Sequence, residues 1–455
     1  MSLNSIYFIF VFLPISVLLY FITPKKLRTL LLVIISLVFY AWGDLTNVLY
    51  LGVSIIFNYI TGIELEKLLD SKKKKEAFIV ILTATSGNVI LLGIMKYSDL
   101  VLPVGMSFYT FMVLSYIFDV YNKKAKAQHN FIKFMLYVSF FPKITMGPIV
   151  EYRDMQEQID TYTFSKQKLL EGTSLFLVGL LKKVILADNL GAAFTSVYGN
   201  ASTSVLGAWL GMIFYGLQLY FDFSGYSDMA IGISKMFGFE FDKNFDYPYT
   251  SKNITVFWRK WHISLGTWFK DYVYIPLGGN RVGKARLFAN LLVVWVLTGV
   301  WHGSTWNFVI WGLYHGAFAM LERFVIKDRL ESVPNMIRVL VTDLIVFVGW
   351  IFFFTPDIGD ALSYMGNLIG IGTSGFSASG AFFYLRTHCI LLVISIIGCV
   401  PIVKNVYTNV FFTSRSKISE NTAYAINVLG TVILFAVAVA FMIGGTYSSF
   451  LYAKF

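Results

Sequence analysis

The sequence predicts an all-α integral membrane protein of about ten to twelve transmembrane helices, with further interfacial or re-entrant helices. Three observations lead there. Only 14% of the 455 residues are charged, against roughly 25% in a typical soluble domain, which is too little charge to coat a soluble surface of this size. Hydrophobic residues make up 56%, and 43 Phe, 27 Tyr and 10 Trp are spread along the whole chain rather than gathered into cores joined by polar linkers. Apolar runs approaching the roughly 20 residues needed to cross ~30 Å of hydrocarbon recur from one end to the other. Together these exclude a soluble enzyme, a disordered chain and a nucleic-acid-binding protein. Length alone would suggest about three soluble domains. The even composition and the lack of an internal repeat instead make residues 1–455 a single polytopic domain.

The candidate spans are 6–22, 30–42, 48–63, 77–95, 100–120, 131–150, 169–187, 205–221, 287–301, 306–320, 337–354, 381–400 and 423–444. Some are short or interrupted by Gly, so fewer of them count as true crossings. No Lys or Arg precedes Lys25, and the first run therefore reads as a retained helix rather than a signal peptide. With the N-terminus outside, the positive-inside rule places three successive basic loops in the cytoplasm: Lys25, Lys26 and Arg28; Lys72 to Lys75; and Lys123, Lys124 and Lys126. The turns 44–47 and 96–99 then lie outside. Beyond residue 131 the rule loses its grip, because 151–168 mixes signs and Lys182 and Lys183 fall within an apolar run.

The net charge, 37 − 26 = +11, fits cytoplasmic loops that face anionic lipid. The Ser/Gly-rich stretch 370–380 reads as a flexible loop, and 404–420, with Arg415 and Lys417, as another cytoplasmic loop. Cys389 and Cys399 share one apolar stretch and read as packing residues, not as a disulfide or a thiolate metal site.

Polar groups inside a membrane protein are costly, so their positions carry information. The segment Tyr220-Phe-Asp-Phe-Ser-Gly-Tyr-Ser-Asp228 follows an apolar helix, and Gly225 permits a break. It reads either as a pocket lined by unwound backbone or as a helix end. Asp228 fits the cap of a next helix, while Asp222 stays open between the two. From Thr255 to Tyr274, Phe257, Trp258, Trp261, Leu265, Trp268, Phe269 and Tyr272 recur at helical spacing, with Arg259, Lys260, Lys270 and Asp271 between them. This predicts an amphipathic, Trp-rich helix at a membrane interface or in the wall of a funnel, ended by Pro276 and the turn Gly278-Gly279-Asn280.

Of five histidines, His129 lies in a basic loop and reads as solvated, and His388 reads as structural beside Arg386. His262, His302 and His315 fall close together in the chain. His302 closes the apolar run 287–300, where an imidazole must find a partner or face a cavity. With an ordinary pKa of about 6.5 it suits a general base. His315 reads as a packing residue. The sequence holds no P-loop, no Cys/His zinc spacing and no Gly-x-Ser-x-Gly elbow, so neither a metal nor a bound cofactor is expected. Base catalysis by histidine in a membrane-enclosed cavity is what the residues leave.

Phe257-Trp-Arg-Lys-Trp-His-Ile-Ser-Leu265, Asp271-Tyr-Val-Tyr-Ile-Pro-Leu-Gly-Gly-Asn-Arg281 and Gly299-Val-Trp-His-Gly303 together resemble the membrane-bound O-acyltransferase family, in its bacterial polysaccharide O-acetylation branch. The Tyr220–Met229, Met146-Gly-Pro-Ile149 and Gly179-Leu-Leu-Lys-Lys-Val184 stretches fit the same pattern, with a motif core at about 140–325. The resemblance implies a ring of helices around a central funnel, with His302 as the catalytic histidine and His262 as the second histidine of the channel. Trp258, Arg259, Asp222 and Trp301 are candidate substrate contacts, and Asp271 and Asn280 also lie in the matched motifs.

It further implies a cytosolic acyl thioester donor such as acetyl-CoA and an extracytoplasmic polysaccharide acceptor. A partner of the SGNH hydrolase type and residence in a bacterial cytoplasmic membrane follow from the same likeness. The competing readings are D-alanyl transfer to teichoic acid within the family, a multi-span transporter or flippase that uses Asp222 and Lys182–Lys183, and a scaffold for an extracytoplasmic enzyme.

Overall fold

The computed structural model describes residues 1–98, 100–377, 380–402, 404–405, 420–445 and 450–451, and contains no strand among them. A π-helical turn, Phe8–Phe12, leads into α1 (Leu13–Ile22), then α2 (Arg28–Ala41), α3 (Leu45–Asp70), α4 (Lys74–Tyr97) and α5 (Met106–Tyr121). Short helices follow: α6 (Phe131–Ser139), α7 (Phe141–Ile144) and α8 (Tyr152–Thr161). Next, α9 (Lys166–Leu181) runs through a π-helical turn, Lys182–Ala187, into α10 (Asp188–Asn200), and α11 (Val205–Met236) follows. The second half holds α12 (Ile254–Lys260), α13 (Ile263–Phe269), α14 (Lys284–His302), α15 (Trp306–Leu321), α16 (Lys327–Leu330), α17 (Asn335–Phe354), α18 (Ile358–Leu368), α19 (Ala381–Gly398) and α20 (Glu420–Gly444).

Six helices among the described residues are long and apolar enough to cross a membrane: α3, α4, α14, α15 with its extension Trp306–Ile326, α17 and α19. Phe8–Ile22, Met106–Tyr121 and Val428–Gly444 are shorter apolar helices. The chain is thus a multi-pass membrane protein, with fewer full-length spans than the apolar runs suggested. The run 131–150 is no crossing, because the chain turns at Phe140 and restarts with Pro142 in the first turn of α7. Helix α11 is long enough, at 32 residues, but its interior carries Asp222, Ser224, Ser227 and Asp228.

Those residues correct an expectation. The chain neither unwinds nor ends at Gly225; α11 continues through it as the central helix, packed against α9, α10, α17, α18 and α19. Glycine here serves close approach instead. A Cβ on Gly179 would lie 2.4 Å from the Gly225 carbonyl oxygen, and one on Gly172 would lie 2.4 Å from that of Gly232. The two contacts are spaced seven residues apart on each helix, so α9 and α11 touch backbone to backbone along one seam. Asp228 is therefore not a cap: its carboxylate meets Lys182 Nζ at 2.6 Å. Lys183, buried, reaches Asp222 at 2.8 Å and Asp188 at 2.7 Å. Both lysines leave the chain at the π-helical turn and pair with acids on packed neighbours, as buried charges must.

The three basic loops are exposed. Two share a face, because the Glu66 carboxylate at the end of α3 accepts from the Ala127 amide at 3.0 Å and sits 2.6 Å from His129 Nε2. His129 is exposed, yet hydrogen-bonded to a carboxylate rather than merely solvated. The 370–380 loop is tied down: the Ser374 amide donates to Thr203 O at 2.9 Å, and the Leu206 amide donates to Phe376 O at 2.9 Å. Residues 378 and 379 lie outside the described residues, as do Asp99 and most of the 404–420 loop, including Arg415 and Lys417. Cys389 is exposed and Cys399 buried, both as free thiols.

Gly225→Leu drives a side chain into the α9 backbone and is expected to cost about 3 kcal/mol or more. Gly52→Leu, where a Cβ meets nothing within 4 Å, should leave the melting temperature of the detergent-solubilised protein almost unchanged. Equal melting for the two variants would contradict the seam.

Candidate active site

The Thr255–Tyr274 segment is three pieces rather than one amphipathic helix: α12, α13 and a π-helical turn, Lys270–Tyr274. The break falls at Trp261-His262, where His262 takes the left-handed conformation, φ +47°, which is rare and costly for a residue with a Cβ. Backbone bonds from an upstream loop hold it: the Asp246 amide donates to Lys260 O at 3.0 Å, and the Ile263 amide donates to Asn244 O at 2.9 Å. The aromatic stripe does not face a membrane interface. Phe257, Trp261, Leu265, Trp268, Phe269 and Tyr272 are all buried, so the segment is an interior wall, the second of the two environments its pattern allowed.

His302 ends α14 and is 3% exposed. Close packing with α15 fixes that helix: a Cβ on Gly299 would lie 2.4 Å from Phe308 O, and one on Gly312 would lie 2.4 Å from Trp295 O. The imidazole sits against Trp301, Trp311 and Phe353, with ring centroids at 4.8, 4.7 and 5.6 Å. Its Nδ1 lies 2.7 Å from the Thr298 carbonyl oxygen. A carbonyl only accepts, so Nδ1 carries the proton and Nε2 holds the lone pair.

His262 reaches the same state by another route. Its Nδ1 is 3.2 Å from Asn244 Oδ1, which also accepts from the Ser264 amide at 3.1 Å and the Ser264 hydroxyl at 2.9 Å. Its Nε2 is buried with no hydrogen-bond partner among the described residues.

Both histidines line one cavity of about 250 Å³, together with Trp258, Leu265, Trp295 and Thr298. Trp258 Nε1 is also buried without a partner among the described residues. Lys270 and Arg323 line the cavity too and are exposed, which gives it a basic rim. That rim adjoins the basic loops, since Lys124 Nζ lies 6.0 Å over the ring of Tyr272. The opposite end of the site meets the far end of α4, a helix that starts in the Lys72–Lys75 loop. There the Tyr97 hydroxyl donates to Val300 O at 2.5 Å, and Lys96 Nζ donates to Trp301 O.

The other sequence candidates are sorted by this geometry. Trp301 lies between the two histidines, 6.3 Å from the His262 ring, but outside the cavity lining. Asp222 is committed to Lys183 away from the cavity, and Arg259 is exposed and does not line it. Asp271 pairs with Arg153 at 2.5 Å, and Asn280 is exposed. His315 is buried behind the cavity, its ring 4.8 Å from that of Trp258. His388 stacks edge-on against Phe214 at 5.6 Å. No group of three or more His, Cys, Asp or Glu among the described residues could hold a metal ion.

The family model for MBOAT, the membrane-bound O-acyltransferase family, matches residues 34–355. The chain belongs to the membrane-bound O-acyltransferase family. Similar proteins include one named probable alginate O-acetylase in Pseudomonas aeruginosa, 36% identical over 82% of this chain and 76% of the relative. The peptidoglycan O-acetyltransferase of Helicobacter pylori is 31% identical over 99% of this chain and 97% of the relative. The teichoic acid D-alanyltransferase of Bacillus subtilis is 30% identical over 50% of this chain and 61% of the relative.

Sequence reasoning missed Asn244, Thr298 and Arg323. Asn244 stands among Glu240, Asp242, Lys243 and Asp246, a pattern of solvated loops, and yet it is 1% exposed. It missed as well the acidic cluster below the rim, where Arg153 joins Glu151 and Asp271 at 2.5 Å each and the Tyr272 hydroxyl donates to Asp119 at 2.9 Å.

In that cluster burial pushes the Glu151 carboxyl up to about 7, against the pull of Arg153. Between its ordinary value of about 4.3 and this raised value, the folded protein keeps a proton that the unfolded chain has released. Glu151 therefore makes stability fall as pH rises through that window. Melting temperature measured from pH 4.5 to 7 should show this slope flattened in Glu151→Gln; an unaltered slope would contradict the assignment.

Proposed function

We propose that this enzyme transfers an acetyl group from a cytosolic acyl thioester of the acetyl-CoA kind to a hydroxyl of a cell-surface polysaccharide, outside a bacterial cytoplasmic membrane. His302 Nε2 is the general base. The observation that supports the reading best is the cavity lined both by the basic rim residues Lys270 and Arg323 and by two imidazoles, each holding its Nδ1 against an oxygen.

The chemistry follows from the atoms available. His302 Nε2 takes the proton of the acceptor hydroxyl, and the oxygen attacks the thioester carbonyl. The C–S bond then breaks, and the leaving thiolate takes the proton back from Nε2. The products are an ester and a thiol, so protons and charge balance. The oxyanion formed on the way needs a donor. Neutral His262 presents a lone pair there and serves as a second acceptor, whereas Trp258 Nε1–H is a buried donor in the cavity lining with no partner among the described residues. The Trp258 indole is therefore the oxyanion donor in this mechanism. The cationic rim suits the phosphates of a thioester donor, and the aromatic walls limit hydrolysis.

Acetyl rather than D-alanyl transfer is favoured because the peptidoglycan O-acetyltransferase aligns with 99% of this chain and the teichoic acid D-alanyltransferase with 50%. The acetyl group passes to the glycan directly or by way of an extracytoplasmic partner of the SGNH hydrolase type.

In vesicles supplied with labelled acetyl-CoA, His302→Ala is expected to lower acetyl transfer by about 10²- to 10⁴-fold while the protein stays folded; unchanged turnover would refute His302 as the base. Trp258→Phe should lower kcat by about 10²-fold with little change in KM. A loss confined to KM would assign Trp258 to binding instead.

A further inference from the structure

Asn244 lies outside the cavity lining, yet its side-chain oxygen and its main-chain carbonyl both bond the His262–Ser264 turn, while its Nδ2 reaches α11. Its Oδ1 accepts from the Ser264 amide at 3.1 Å and the Ser264 hydroxyl at 2.9 Å, while its Nδ2 donates to Ser227 Oγ on α11 at 3.1 Å. A backbone amide can only donate, so the atom that faces it is the side-chain oxygen, and the amide cannot be flipped. That oxygen stands 3.2 Å from His262 Nδ1 and cannot donate to it. The Ser264 hydroxyl also lies 3.5 Å from Nδ1, but it donates to Asn244 Oδ1 at 2.9 Å, so His262 carries its proton on Nδ1 and its lone pair on Nε2. The Asn244 main chain adds a second restraint by accepting the Ile263 amide at 2.9 Å, which holds the left-handed turn at His262.

We propose that Asn244 is a positioning residue for acyl transfer. Anchored to the central helix through Ser227, it fixes both the tautomer and the orientation of His262, and so sets which nitrogen the substrates meet. The inference rests on the reading of this cavity as the acyl-transfer site and adds to it a residue that touches no substrate. Its chemistry is that of buried groups that orient a metal-bound histidine, whose loss typically costs about 10- to 100-fold in affinity or activity.

The test is a double-mutant cycle on acetyl transfer by the full chain in vesicles, with labelled acetyl-CoA as donor. Asn244→Leu is expected to lower kcat by about 10-fold or more at nearly constant KM, and Asn244→Asp, which keeps the accepting oxygen, to recover most of that loss. In a His262→Ala background Asn244→Leu should cost less than about 2-fold, because the group it orients is gone. Equal losses in the two backgrounds would show a merely structural role and overturn the proposal. A His262→Ala variant with full activity would overturn it too, while leaving His302 as the base to be judged by its own variant. Should Asn244→Leu not yield folded protein, Ser227→Ala, which removes only the bond that anchors the amide, is carried through the same two backgrounds, and the same outcomes decide.

Discussion

A polar atom taken out of water must find a partner, and in this chain that constraint decides where interior polar side chains go. Lys182 and Lys183 settle on Asp228 and Asp222, Asp188 joins them, and the pairs bind the π-helical turn after α9 to α11. The imidazole Nδ1–H of His302 goes to Thr298 O, and that of His262 goes to Asn244 Oδ1. His262 Nε2 and the Trp258 indole N–H, both buried without a partner among the described residues, belong to residues that line one cavity together with His302.

The scaffold makes such economy possible by being rigid where it touches the site. Helices α9 and α11 meet through glycines at backbone distance, and α14 and α15 meet the same way at Gly299 and Gly312. Neither seam leaves room for a sliding helix. Between them the chain bends at His262 against its conformational preference, and the Asn244–Asp246 segment bears that cost through two backbone bonds. One histidine therefore rests on a helix end and the other on a strained turn, and each holds its Nδ1 against an oxygen.

Much of the fold and part of the site were legible from residues alone. Apolar runs and basic loops mark the helices of the first third, since both reflect the bilayer rather than tertiary contacts. His302 stood out because an imidazole in an apolar run has few bland explanations, and the motif resemblance ranked it further. Three features were not legible, each because a local pattern has two tertiary outcomes. Gly225 can break a helix or let another helix approach it, and only the presence of Gly179 opposite decides. The stripe from Phe257 to Tyr272 has the same period on an interfacial helix and on a buried one, and a break at His262 leaves that period almost intact. Asn244 sits among charged residues that resemble a solvated loop; its burial depends on Ser227 and Ser264, which are distant or unremarkable in sequence.

The central claim is that one cavity joins a donor on the basic face to an acceptor on the other. It is tested most directly by sidedness in sealed proteoliposomes of known orientation, with isotopically labelled acetyl-CoA confined to the side of Lys270 and Arg323 and a polysaccharide acceptor, together with an SGNH-type partner protein, confined to the opposite side. The proposal requires label to appear on the acceptor only in this arrangement, and on none when donor and acceptor compartments are exchanged. Equal labelling in both arrangements, or labelling only when donor and acceptor share a side, would contradict it.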